Sequence, residues 1–128
     1  AESFARKLNN DRSPVPLWFY SGDRNFNVLH ARLRMLCSPL NDHLYSHIHV
    51  VDSPACACGN ARENNRHYLL TCPLFNQARD AMLQALEQLE FEPSLKNLLQ
   101  GNPDYDCKTN TKVFEIIQSF IEATGRFD

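Results

Sequence analysis

Four side chains with metal-ligand chemistry fall within one short stretch, PACACGNARENNRHYLLTCP at residues 54–73: Cys56, Cys58, His67 and Cys72. Thiolates and imidazoles are the ligands of tetrahedral zinc, and structural zinc sites fill all four corners with protein atoms. The spacing C-x-C-x8-H-x4-C departs from the commoner C-x2-C opening. Gly59, directly after the second cysteine, permits a positive φ at the tight turn and lets backbone N–H groups approach the sulfurs. The residues predict one structural zinc ion held by Cys56, Cys58, His67 and Cys72.

The spacing sets a geometric problem. Five residues on a continuous α-helix separate His67 from Cys72 by about 140° at 3.6 residues per turn. Both can reach one ion only if the helix ends or unwinds near Thr71, ahead of Pro73. Leu69 and Leu70, between the two ligands, then face the core. A closed sphere leaves no corner for an activated water, so the ion is expected to stabilise rather than catalyse. Structural zinc binds small peptides with about 10–16 kcal/mol, comparable to the ~5–15 kcal/mol that holds a whole domain. It orders a segment whose own apolar content is too thin to do so.

The remaining cysteines bound the compartment. Five is an odd number, and Cys56 and Cys58 are too close to bridge within ordinary disulfide geometry. A disulfide framework is not expected, which predicts a reducing, intracellular location, nuclear or cytoplasmic. Cys37 and Cys107 have no neighbouring ligands and read as small buried residues, with Cys37 or His49 a substitute ligand should His67 point elsewhere. No apolar run approaches the roughly 18 residues of a membrane span, and AESFARKLNN lacks the apolar stretch of a signal peptide.

The elements that must position the cluster read as helices. Residues 1–22, with Pro14 and Pro16, form an expected extended arm that Trp18 docks onto the body. Asp23 caps an amphipathic helix with Phe26, Leu29, Leu33 and Leu36 on its stripe, His30 beside it, and Arg32 and Arg34 on a solvated face. Ser38 and Pro39 start a short helix in which Leu40, Leu44, Tyr45 and Ile48 are buried and His43 and His47 share one face. HVVDSPA leads as an extended piece into the cysteines. Asn64 or Asn65 caps NNRHYLLTC. Phe75, Ala78, Met82, Leu86 and Leu89 mark the expected longest helix. SLKNLLQ is a short helix with a left-handed stop at Gly101, and TKVFEIIQSFIEAT closes the chain and ends at Gly125. In 128 residues with 43% hydrophobic and 22% charged side chains, this is an all-α class: a single helical domain over 23–128, of about five to six helices, with an irregular CCHC zinc-binding insert.

Charge is unevenly spread. The net charge is −2, yet residues 1–36 carry six Lys and Arg against three Asp and Glu, and residues 73–128 carry five against nine. A polyanion-binding face belongs in the N-terminal half.

Several short stretches occur together in a fixed order: RLR at 32–34, LNDHL at 40–44, DSPACACG at 52–59, ENNRHYLLTCP at 63–73, and Arg79. In that order they resemble the region downstream of the reverse transcriptase in non-LTR (LINE-like) retrotransposon polyproteins, and VFEIIQSFIEATGRF resembles the tail of such reading frames. The resemblance spans about residues 28–80 closely and the remainder weakly. It implies a zinc-binding tail module that helps a polymerase engage template RNA or target DNA, with Cys56, Cys58, His67 and Cys72 as the ligands and other domains of a larger polyprotein as neighbours. In that reading Arg24, Arg32, Arg34, Arg62 and Arg66 contact phosphates. The polymerase chemistry does not carry over, because the chain lacks adjacent catalytic aspartates, and Asp104 and Asp106 read as caps of the last helix. The expectation is therefore a module that is not an enzyme. The competing expectation is a zinc-stapled protein-interaction module that docks through the helices from Phe75 to Leu89 and from Lys112 to Ala123, without direct nucleic-acid contact.

Overall fold

The computed structural model describes residues 15–128, so most of the expected arm over 1–22 lies outside the described residues. Helix α1 spans Arg24–Arg34, and α2 spans Asn41–His43 and runs directly into a wide turn at Leu44–Ile48. Helix α3 is the turn His67–Thr71, α4 is Asn76–Gln88, α5 is Leu95–Gln100 and α6 is Cys107–Thr124. Among the described residues every regular element is helical and none is a strand, so the chain is all-α.

Helix α6 is the spine. Val113, Ile117, Phe120 and Ile121 recur along one face, the three- and four-residue spacing that gives a helix an apolar stripe. Against that face α4 lays Met82 and Leu86, α1 lays Leu33, and α5 lays Leu98. Tyr68 and Leu69, from the centre of the ligand-bearing turn, reach the same core and are fully buried. Burying such side chains contributes roughly 1.5–3 kcal/mol each. The metal-binding segment is thus fastened to the helical body through its own apolar residues.

Helix α6, with 18 residues, is longer than α4, with 13, which reverses the expected order. The cause is the cap at Asp106, whose side chain accepts from the backbone N–H of Thr109 at 2.7 Å and starts the helix ahead of Thr111. The segment Leu17–Tyr20 coils into a single turn instead of running extended, closed by Phe19 N–H on the Pro16 carbonyl. It does dock as expected. The Trp18 indole N–H donates to the Gln100 carbonyl at 2.9 Å, and Phe19 stacks on Phe114 with centroids 5.5 Å apart. Trp18 lies so close to Gly101 that a Cβ there would come within 2.5 Å of the indole nitrogen. Gly101 combines φ 71° with ψ −168°, an extended conformation of positive φ rather than a left-handed helical stop, and open to glycine alone.

Several buried expectations reverse around the end of α1. The helix stops at Arg34, and Leu36, expected on the stripe, is 70% exposed with φ 59°. It sits in the left-handed closing position, with Leu36 N–H bonded to the Leu33 carbonyl and Cys37 N–H to that of Arg32. Cys37 follows that closure and is exposed, and Cys107 opens the first turn of α6 and is exposed, so neither is the small buried residue expected. Tyr45 and Ile48 are also exposed, because the wide turn rotates them off the face that carries Leu40. Ser38 and Pro39 precede the helix rather than start it. The first N–H of α2, at Asn41, is satisfied by the Glu63 carboxylate at 2.8 Å. His30, expected beside the stripe, is buried against Phe114 with its Nε2 2.8 Å from the Leu98 carbonyl.

Candidate metal centre

Cys56 and Cys58 stand on a tight loop. Cys56 N–H donates to the Asn60 carbonyl and Gly59 N–H to the Cys56 carbonyl, both at 2.9 Å. Gly59 has φ 102°, and a Cβ there would meet nothing within 4 Å, so conformation rather than crowding demands glycine. The turn aims backbone N–H groups at sulfur: that of Asn60 at Cys58, and that of Cys58 at Cys56. The Asn60 N–H is the main cause that holds the Cys58 thiol below its ordinary range. Burial pushes the Cys56 thiol up to about 12, so this cysteine needs a cation to become a thiolate.

His67 and Cys72 come from α3, and the obstacle of their spacing is removed by the helix itself. Cys72 N–H donates to the His67 carbonyl at 2.7 Å, an i→i+5 bond, so the turn His67–Thr71 is π-helical. The extra residue per turn brings position i+5 back beneath position i. Pro73 helps to fix the widened turn, because it has no N–H to offer the carbonyl five residues before it. That carbonyl, of Tyr68, is taken instead by Arg79 Nη2 at 2.9 Å. Arg79 also donates to the carbonyls of Leu69 at 3.0 Å and Cys72 at 2.8 Å, the latter shared with the Phe75 N–H at 3.2 Å, so one buried guanidinium serves three acceptors at the end of the turn. Asn64 caps the entry, accepting from His67 N–H at 2.9 Å.

The four ligand atoms lie within 4.8 Å of one another. The sulfurs of Cys56 and Cys72 are 3.7 Å apart, and Cys58 Sγ is 3.3 Å from His67 Nε2. Zinc–sulfur bonds of about 2.3 Å at tetrahedral angles place two sulfurs about 3.8 Å apart, and a sulfur and an imidazole nitrogen about 3.6 Å apart. A disulfide would require about 2.05 Å. These two pairs are close to tetrahedral spacing, and the chain carries a Cys3His cluster that could hold a metal.

The groups around the ligands set their orientation. His67 Nδ1 is 3.1 Å from Thr71 Oγ1, and that hydroxyl donates to the His67 carbonyl at 3.3 Å. The oxygen is thus the acceptor of Nδ1–H, which leaves the Nε2 lone pair facing Cys58. Glu63, buried, receives Arg126 on both carboxylate oxygens at 2.7 Å, and its Oε2 lies 4.0 Å from Cys56 Sγ. Tyr68 hydroxyl meets Thr124 at 2.8 Å. Three thiolates and a divalent ion would leave a net negative charge. Arg79 beside Cys72 lies where it can offset that charge, whereas Arg126 near Cys56 is already neutralised by Glu63.

All four expected ligands converge. The substitute ligands do not join them: Cys37 and His49 are exposed and outside the cluster. Of the arginines, Arg24, Arg32 and Arg66 are exposed, and Arg62 pairs with Asp42. Arg34 is drawn into the fold, with its guanidinium donating to the Leu99 carbonyl at 2.9 Å and lying 4.1 Å above Phe19, so it does not stand on the solvated face expected for it. Thr71 and Arg126 carry no signal beyond their types, although a hydroxyl four residues after a ligating histidine is a detectable spacing. Among the described residues no helix is long and apolar enough to cross a membrane. No protein-family model, curated protein or solved structure matches the chain.

Proposed function

We propose that the chain is a zinc-stapled accessory module, without catalytic activity of its own, that helps a larger polypeptide engage RNA or DNA in a reducing, intracellular compartment. The observation that carries this reading is the Cys3His cluster, whose four convergent ligand atoms and donor types suit one structural zinc ion. The resemblance to retrotransposon reverse transcriptase tails supplies the nucleic-acid partner. Exposed Arg62 and Arg66 stand between the ligands in sequence, and exposed Arg24 and Arg32 on α1 extend the basic half of the chain. Binding of the chain to single-stranded RNA and duplex DNA at two salt concentrations tests it. Each neutralised phosphate releases counterions, so affinity should fall steeply with salt. Absence of salt-sensitive binding at micromolar concentration removes this reading.

A second reading, a zinc-stapled protein-interaction module without nucleic-acid contact, draws on the nine acidic residues against five basic ones in residues 73–128. Such a surface repels phosphates and suits a basic protein partner.

A further inference from the structure

Where α4 ends and the chain crosses to α5, the surface opens into a groove of about 680 Å³. This is within the range of about 300–1,000 Å³ typical of sites that enclose a ligand. Its apolar lining comes from Leu83, Pro93, Tyr105 and Phe91. Four carboxylates rim it: Asp80, Glu87, Glu90 and Glu92. They are nearly half of the nine acidic residues in residues 73–128, while none of the five Lys and Arg of that region lines the groove. Among the described residues none of the four pairs with a cation.

The walls are built rather than fortuitous. Tyr105 hydroxyl donates to the Glu90 carbonyl at 3.1 Å, and the Tyr105 and Phe91 rings lie 4.7 Å apart. The loop behind Tyr105 is fixed by buried Asn110, whose amide donates to the carbonyls of Asn102, Tyr105 and Asp106 and accepts from Asn102 N–H. Phe91 N–H bonds the Leu86 carbonyl, closing α4 over Glu90 in the left-handed conformation. A groove held this way needs little ordering on binding.

We propose that this groove is a docking site for a basic amphipathic segment of a partner protein, with aliphatic side chains seated on Leu83, Phe91 and Tyr105 and flanking lysines or arginines against the four carboxylates. Charge selects the occupant. An apolar floor recruits aliphatic side chains of many kinds, but an acidic rim with no ion-paired cation among the described residues disfavours nucleic acid and acidic peptides and favours cations. The site is separate from the metal cluster and from the arginines proposed to contact phosphate, so the module would engage nucleic acid and a protein partner at once.

Fluorescence anisotropy with an amidated helical peptide tests the proposal, its leucines at i, i+3, i+4 and i+7 and its other positions lysine. The expected result is saturable binding by the metal-loaded chain. Affinity falls about tenfold or more in Glu87→Gln/Glu90→Gln/Glu92→Gln, and likewise when serines replace the peptide's leucines. The three glutamates are exposed, so unchanged metal content and helicity will show that the variant folds. Leu83→Ser gives a second, charge-neutral disruption. Equal binding by the triple variant or equal binding by the leucine-free lysine peptide overturns the proposal.

Discussion

Arg79 donates to the backbone carbonyl of Cys72 at 2.8 Å, and the same guanidinium caps the carbonyls of Tyr68 and Leu69. One buried side chain on α4 therefore stands in for the N–H groups that a π-helical turn ending at proline cannot supply. It holds the last of the four candidate ligands by its main chain rather than by its sulfur.

Replacing Arg79 by alanine takes its donors from the carbonyls of Tyr68 and Leu69, leaves that of Cys72 only the Phe75 N–H at 3.2 Å, and removes the cation beside Cys72. Metal affinity should fall about 10–100-fold, the range expected for outer-shell partners, and the melting temperature should drop with it. Lysine should not restore either, because an ammonium is a point charge and cannot span the fork. Chelator competition on the purified variants checks this. An Arg79→Lys variant with wild-type affinity would show that charge alone, not the three-carbonyl cap, is what Arg79 provides.

Thr71 acts through the other ligand of the same turn. Its hydroxyl oxygen accepts His67 Nδ1–H and so keeps Nε2 free for the ion. Thr71→Val keeps the shape and removes the acceptor, and should lower metal affinity by about tenfold. Thr71→Ser should behave as the parent. Thr71 is exposed, so loss of packing does not compete as an explanation. The decisive comparison is valine against serine in one chelator titration, and equal values for the two would separate Thr71 from the site.

If the cluster holds the proposed zinc, removing it should unmake residues 50–75 and spare the helices packed on α6. Cys58→Ser or Cys72→Ser, or a chelator in excess, is expected to release one equivalent of zinc and to unfold residues 50–75. Amide exchange should accelerate across that stretch while the buried face of α6 stays protected. Cys72 is fully buried and Cys58 partly exposed, so the Cys72 variant should also cost core stability. Elemental analysis beside the exchange data settles it, and unchanged zinc with an intact melt in both variants would sink the coordination sphere.

How far this was legible in the sequence depends on what each residue answers to. Cys56, Cys58, His67 and Cys72 were legible because ligand types and a turn glycine are local, and their convergence needed only the helix to unwind near Thr71. The form of that unwinding was not, since an i→i+5 turn is selected by Arg79 from another helix. Caps such as Asp106 and Asn64 are local and were readable. Leu36, Tyr45 and Ile48 were misplaced because apolar periodicity assumes that a helix continues, whereas a left-handed closure and a wide turn rotate these side chains into solvent. His30 was misplaced for the converse reason: a polar residue is buried when a distant carbonyl, here that of Leu98, receives its N–H.

That same burial of His30 makes the fold acid-sensitive. Its Nε2–H donates to the Leu98 carbonyl, while Nδ1 is buried with no hydrogen-bond partner among the described residues. Desolvation is the main cause that lowers its pKa from 6.5 to about 4; the Leu98 bond opposes the shift and the Arg34 charge adds to it. A folded-state pKa below the unfolded value means that the unfolded chain binds the proton first. The stability contributed by neutral His30 is therefore fully present above about pH 6.5, is lost as pH falls toward 4, and levels off below. The depressed pKa corresponds to roughly 3 kcal/mol across that window. His30→Gln keeps an amide N–H for Leu98 but cannot titrate, so it should be less stable at pH 7 and flatter between pH 6.5 and 4. Denaturant midpoints of the two proteins, compared at equal metal loading to cancel protonation of the ligands, give the difference. Parallel pH profiles would mean that His30 is not the group that titrates.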